Sequence, residues 1–346
     1  MPRKATSQDV ADLAGVSRSA VSLVLNGHGA GNIAPAKQAL IIEAARRLKY
    51  TPNAVALSLR NRRSSTIGVL TDAMATTASG GRLLRGAADV AAAEGFLLLV
   101  IHSGDDLEQE GRAYETLQNR QVDGFLFAAT SLRPYDAPPA LRSAPGALAN
   151  CYDPDDRVAA FIPDAVSGSR SVTWHLVEHG HREIVMLSGT SDVVTSGLRE
   201  QGFAEAMSSA GLPARAPFPA GGEIDAGYGS AVHVLTSYQP RPTALVCAND
   251  RCAVGVVLAS AQLGLSVPGD LSVVGYDEDE HLAPRLVPPL TTVRLPHREM
   301  GEWAMRTVLA GVLEDTPTAL TADPTGTPRT LLDCPLVVRD SVAPPR

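Results

Sequence analysis

The sequence predicts an all-α head joined to an α/β core of two parallel-sheet subdomains. Two short helical patterns flank a glycine near the start. From Thr66 onward, apolar strand-like runs alternate with helical ones, and basic charge is concentrated ahead of that residue. The chain has 346 residues, 45% hydrophobic and 19% charged, so it can bury more than one core and disorder is not expected.

In the head, Thr6 and Asp9 have the spacing of a capping box opening a helix whose apolar side is Val10, Leu13 and Ala14. Ala14-Gly15-Val16-Ser17 then supplies a glycine turn and a serine N-cap for a second helix, Arg18 to Leu25. Val21, Val24 and Leu25 point inward on it, while Arg18, Ser19, Ser22 and Leu23 take the other face. A third helix, about Ala36 to Leu48, closes the small core with Leu40, Ile41, Ala44, Ala45 and Leu48. Two short helices around so tight a turn form a helix-turn-helix, which lays the start of its second helix along base edges in the major groove. Charge agrees with that reading. Residues 1–65 hold ten Lys/Arg against three acids, a balance of +7, so the rest of a chain of net charge −7 carries −14. A basic module suits phosphate while an acidic body stays soluble and repels it.

In the core, Ile67–Leu70, Phe96–Ile101 and Phe125–Ala128 read as strands, with helical patterns at Gly86–Glu94 and around Gly111–Asn119. The alternation resumes with Gly168–His179, Ile184–Leu187, Gly202–Ala210, Ala244–Ala248, Val254–Leu263 and Leu271–Tyr276. Such order gives parallel sheets covered by helices, with ligands expected beyond the carboxyl ends of the strands. Polar residues at those ends are Asp72, Arg199, Asn249, Asp250 and Asp277. Carboxylates and amides accept from sugar hydroxyls while an arginine donates, so Arg199, Asn249, Asp250 and Asp277 suit a polyhydroxylated ligand. Asp72 reads as a cap or ion-pair partner.

The stretches DVADLAGVSRSAVSLVLNG, AARRLKYTPNAVALSLR and RRSSTIGVL resemble the head, hinge and first strand of the LacI family of bacterial repressors. VDGFLF, VEHGHREIVMLSG, REQGFAEAM, ALVCANDRCAVG, GLSVPGDLSVVGYDED and PPLTTVRLP follow in family order. The resemblance implies a periplasmic-binding-protein type I core crossed three times by the chain. It divides the chain into a helix-turn-helix domain at 1–50, a hinge at 51–65 and an effector-binding and dimerisation domain at 66–346. The last splits into an N-subdomain of about 66–163 plus 294–323 and a C-subdomain of about 164–293 plus 324–346. By the same resemblance Arg18 and Ser19 face base edges or phosphates, and Thr6, Ser17, Ser22 and Asn26 make phosphate or capping contacts. Pro52-Asn53 opens the hinge segment Ala54 to Leu59, and Leu59 is the residue expected to wedge between base pairs in the minor groove. Leu23 departs from the family, standing where an arginine is usual, so operator preference should differ there. The loop Asn26 to Ile33 is about two residues longer than usual. Arg199 and Asp277 match effector contacts, and Ser79 at the start of the first core helix joins them.

The expected function is a sequence-specific transcription regulator that represses from a pseudo-palindromic operator as a homodimer. A small molecule in the inter-subdomain cleft, a sugar or related metabolite, controls it as inducer or corepressor. The alternatives are a sugar-active α/β enzyme and a solute-binding protein. Against the first, there is no P-loop, dinucleotide fingerprint or GxSxG elbow; against the second, there is no leader-like segment. Neither cofactor nor metal is expected: His175, His179 and His181 read as structural, and Cys151, Cys247, Cys252 and Cys334 form no CxxC pair. The longest apolar run, Phe96 to Ile101, is too short to span a bilayer, so a cytoplasmic, nucleoid-associated protein without membrane partners is expected. The ending VVRDSVAPPR lacks apolar heptads, which favours a dimer over a tetramer. Aromatic residues are only 4% of the chain, so stacking on a sugar ring has little support and a purine effector stays open.

Overall fold

The computed structural model describes residues 5–51, 63–73, 78–104, 106–190, 194–314 and 328–346, in two compact units, Met1–Ser65 and Thr66–Arg346. Most of the expected hinge, with Asn53 and Leu59, lies outside the described residues.

The first unit contains helices α1 (Ser7–Ala14), α2 (Arg18–Leu25) and α3 (Pro35–Arg47). Thr6 and Asp9 cap α1 reciprocally: the Thr6 N–H donates to Asp9 Oδ2 at 2.7 Å and the Asp9 N–H to Thr6 Oγ1 at 3.3 Å. Gly15, at φ 65°, ends α1 in the left-handed region open to glycine, and its N–H returns to the Ala11 carbonyl. Val10, Ala11, Val21, Ile41, Ala44 and Ala45 form the core. Leu13 and Leu40, expected inside, are exposed. Each residue turns a helix by about 100°, so once Val10, Ala11 and Ile41, Ala44, Ala45 face inward, Leu13 and Leu40 swing out.

The second unit has two lobes. The first opens with β1 (Thr66–Thr71), α4 (Ala78–Ala93), β2 (Leu97–His102), α5 (Leu107–Asn119), β3 (Gly124–Ala128), α6 (Pro139–Arg142), β4 (Gly146–Ala149) and β5 (Ala159–Pro163). The chain crosses into the second lobe as α7 (Ala165–Glu178), β6 (Ile184–Ser188), α8 (Val194–Ser209), β7 (Phe218–Pro219), α9 (Ile224–Ser237), β8 (Ala244–Cys247), α10 (Asp250–Gln262), β9 (Ser272–Val274) and β10 (Thr292–Val293). It returns through α11 (His297–Glu314) and β11 (Arg329–Leu332), then crosses again to β12 (Leu336–Val337). The first lobe's sheet runs β11-β5-β4-β3-β1-β2 and the second's β7-β6-β8-β9, with all neighbours parallel; β10 and β12 pair antiparallel. Strands buried on both faces, such as β3 with all five residues inside, read as continuous apolar runs for this reason.

The third crossing differs from the expected boundary near residue 323. Arg329–Leu332 pairs in register with Ala160–Pro163, so β11 belongs to the first lobe and the crossing falls between Leu332 and Leu336. Two short apolar runs three residues apart read as one segment, but each completes a different sheet.

Close helix packing builds the first lobe. A Cβ on Gly301 of α11 would stand 2.1 Å from the Leu83 carbonyl oxygen of α4, and one on Gly86 would stand 2.2 Å from that of Arg298. Gly301→Ala should therefore lower stability: overpacking costs about 1–3 kcal/mol, against about 0.5–1 kcal/mol gained in helix propensity. A denaturation midpoint at or above that of the parent would contradict this packing.

Candidate functional site

On the first unit, Thr6, Ser17, Arg18, Ser19 and Leu23 are exposed, and Ser22 and Asn26 are half-buried. Ser17 Oγ accepts from the Ala20 N–H at 3.2 Å, so it caps α2 while its own O–H remains able to donate to a phosphate. Asn26 is committed differently: its Nδ2 donates to the Ser22 carbonyl at 2.5 Å and the Ser22 hydroxyl at 3.1 Å, closing the end of α2. Thr6 serves the α1 cap. The long loop after Asn26 is held by Gln38, whose Nε2 donates to the carbonyls of Gly29 and Ile33 at 3.0 and 2.7 Å.

On the second unit, a cavity of about 290 Å³ opens between the lobes at the carboxyl ends of their strands. A second, of about 180 Å³, adjoins it and shares Thr195, Arg199 and Asn249. Arg199 projects from α8 at the centre. Its guanidinium donates to the Ala248 carbonyl at 2.5 Å and to Asp277 Oδ1 at 3.1 Å, and lies 3.7 Å from the centre of the Tyr276 ring. Asp277 follows β9 in the left-handed region at φ 111°, held there by its N–H to the Val293 carbonyl at 2.8 Å. Its side chain keeps 35% exposure toward the cleft, and enclosure raises its pKa against the opposing pull of Arg199.

Asn249 spends Oδ1 on the Cys252 N–H at 2.8 Å, capping α10, which leaves its amide N–H groups at the rim shared by the two cavities. Asp250 touches the cavity but is buried and engaged. Its Oδ1 accepts from Thr292 at 2.5 Å and its Oδ2 from the Asp279 N–H at 2.7 Å, so it positions the loop after β9. Burial, then repulsion from Asp277, pushes its pKa up to about 8. Ser79 lies in the first turn of α4, its side chain outside the described residues. Asp72 accepts from the Thr130 N–H at 2.9 Å and hydroxyl at 2.5 Å and lies 3.6 Å from the Arg133 guanidinium.

Two cleft residues had no signal in the sequence. Arg82 on α4 and His297, which opens α11, both line the larger cavity, although they are far apart in sequence and neither belongs to a motif. Of the three histidines, His181 is tied into the fold. His181 Nδ1 meets the Thr243 hydroxyl and Nε2 the Ser272 hydroxyl, both at 2.9 Å, and among the described residues no group of His, Cys, Asp and Glu is placed to hold a metal.

The profile of bacterial regulatory proteins of the lacI family matches residues 6–53, and that of the periplasmic binding protein-like domain matches residues 173–342. The ribose operon repressor of Escherichia coli (strain K12) is 34% identical over 316 residues, spanning 90% of this chain and 94% of that protein. The chain belongs to the LacI family. The family's HTH-type transcriptional repressor PurR of Vibrio vulnificus (strain CMCP6) is 32% identical over 308 residues, covering 88% of this chain and 91% of its own length. The Lac repressor dimer, solved bound to operator and the anti-inducer ONPF, superposes with a TM-score of 0.79 at 26% identity, covering 99% of this chain and all of that one. This LacI-family chain is thus a DNA-binding transcription regulator with a helix-turn-helix head and a core of two parallel-sheet lobes. No helix among the described residues is long and apolar enough to cross a membrane.

The raised pKa of Asp250 has a definite sign. Between its ordinary value and about 8 the folded state holds a proton that the unfolded state has released, so stability falls as pH rises through that window. Asp250→Asn should lose less stability between pH 5 and pH 8 than the parent, and equal losses in denaturation midpoint would exclude this role.

Proposed function

We propose that this regulator is a homodimeric repressor of a pseudo-palindromic operator, controlled by a small polar molecule of the sugar class in the inter-lobe cleft. The observation that carries this is the Arg199–Asp277 pair, a donor and an acceptor fixed side by side at the cavity where both lobes meet. Asn249 adds a donor on the same rim. Arg18 and Ser19 read bases or phosphates, Ser17 donates to a phosphate, Leu23 offers apolar contact, and Ser22 and Asn26 hold the end of the helix. Asn53 and Leu59 serve the hinge, Leu59 as a minor-groove wedge. The E. coli relative's name, ribose operon repressor, favours a sugar, and so does a cleft rich in charged and hydroxyl groups.

A second copy is the natural cover for β2. That strand is an edge of its sheet, yet Leu97 is 73% exposed and Leu99 and Val100 are exposed beside it, an aggregation hazard unless paired. A non-enzymatic role in the cytoplasm, on DNA, is the reading that fits relatives named as transcriptional repressors.

A gel shift with DNA upstream of the protein's own gene, with and without a panel of sugars, tests the reading. Retardation that one sugar changes is expected; no retardation would refute it. Arg199→Ala removes a charge-assisted contact worth about 1.5–3 kcal/mol, so ligand affinity should fall roughly ten- to hundredfold and the ligand-dependent shift should vanish. A parent-like response in this variant would discard the pocket assignment.

A further inference from the structure

We propose that the molecule held in this cleft carries an anionic group, a carboxylate or a phosphate, bound by Arg82 and His297, a refinement that rests on the effector reading above. Arg82 reaches from the first lobe to the second, where its Nη1 donates to the Glu278 carbonyl at 2.9 Å. Among the described residues it makes no salt bridge: the Asp277 carboxylate, which feels its charge, is paired with Arg199, and the Arg82 Nε is buried without a hydrogen bond. The other arginines lining the cavity are neutralised, Arg199 by Asp277 at 3.1 Å and Arg251 by Glu223 at 3.0 Å. The Glu278 carboxylate cannot serve Arg82, because it is engaged by Arg339, with Nη1 to Oε2 at 2.9 Å. Arg82 is thus a cation at the cavity wall whose hydrogen-bond partner among the described residues is a carbonyl, and a ligand anion would complete its pairing.

His297 is the independent second observation. It is 3% exposed, lines the same cavity, and its Nδ1 has no hydrogen-bond partner. Burial and then the charges of Arg82 and Arg199 push its pKa down to about 3, so a neutral imidazole sits in positive potential with an N–H to give. Asp279 and Glu280 also line the cavity. Asp279 Oδ1 already accepts from the His281 N–H at 2.9 Å, and exposed Glu280 is screened by solvent and salt, whereas Arg82 acts from inside. No Phe, Tyr or Trp is among the described residues lining this cavity, and the Tyr276 ring is covered by Arg199, so charge-assisted hydrogen bonds, not ring stacking, supply the affinity.

Calorimetric titration of the full chain tests this with ribose and glucose, gluconate and glucuronate, the terminal phosphate esters of ribose and glucose, and hypoxanthine. At least one acidic compound should bind, with its neutral parent weaker by roughly tenfold or more; whether it is a carboxylate or a phosphate names the group. Arg82→Gln should weaken that compound roughly tenfold or more, and Arg82→Lys should recover part of the loss, with cooperative melting verifying both folds. Should Arg82→Gln fail to fold, the acid-to-neutral comparison on the parent still decides. A neutral sugar or hypoxanthine binding as tightly as every acid, no acid binding, or unchanged affinity in Arg82→Gln overturns the proposal. A neutral sugar that binds and shifts operator affinity defeats this inference alone, while no compound doing either defeats the effector reading as well.

Discussion

The second lobe is organised around the guanidinium of Arg199. Lying flat on Tyr276, it joins the carbonyl that ends β8 to the carboxylate that follows β9, so one side chain from α8 fixes the carboxyl ends of two strands against each other. Asp277, its N–H on the Val293 carbonyl, is held in a left-handed backbone conformation, which for a residue with a Cβ costs about 1–3 kcal/mol. Asp250 supports that loop from beneath, taking the Asp279 N–H and the Thr292 hydroxyl. Strain and charge are thus concentrated where the cavity opens, and the donors and acceptors there are set before any ligand arrives.

The two lobes are joined by three short crossings, after Pro163, Val293 and Leu332. Each crossing leaves the sheets near their carboxyl ends, which is also where the cavity lies. Arg82 adds a contact from α4 to the Glu278 carbonyl, so the polar wall of the cleft belongs to both lobes. In the proposed mechanism a ligand that prefers one arrangement of the lobes shifts their balance by its differential affinity. The sign of the response depends on which arrangement favours DNA.

Local rules were readable wherever they act locally. Thr6 with Asp9, Gly15 and Ser17 spell the caps and turn of the head in consecutive residues, and Arg199, Asn249 and Asp277 sit at the ends of strands that the apolar runs make visible. What escaped depends on partners distant in sequence. Leu13 and Leu40 turn outward because three helices share one small core, and β11 joins the first lobe because β5 needs a neighbour 169 positions away, as the pairing of Ala160 with Arg329 records. Asp250 reads in sequence as a ligand contact, yet its oxygens are engaged by Thr292 and the Asp279 N–H, partners that lie 42 and 29 positions away. Arg82 and His297 are ordinary surface types in unremarkable stretches, and only the packing of α4 against α11 brings them to one cavity.

Thermodynamic reciprocity gives the most direct test of coupling between cleft and head. The affinity of the identified ligand should be measured by titration into the free full-length protein and into its operator complex. The account requires the two values to differ by the same factor by which saturating ligand changes operator affinity. Identical ligand affinities with and without operator would contradict it.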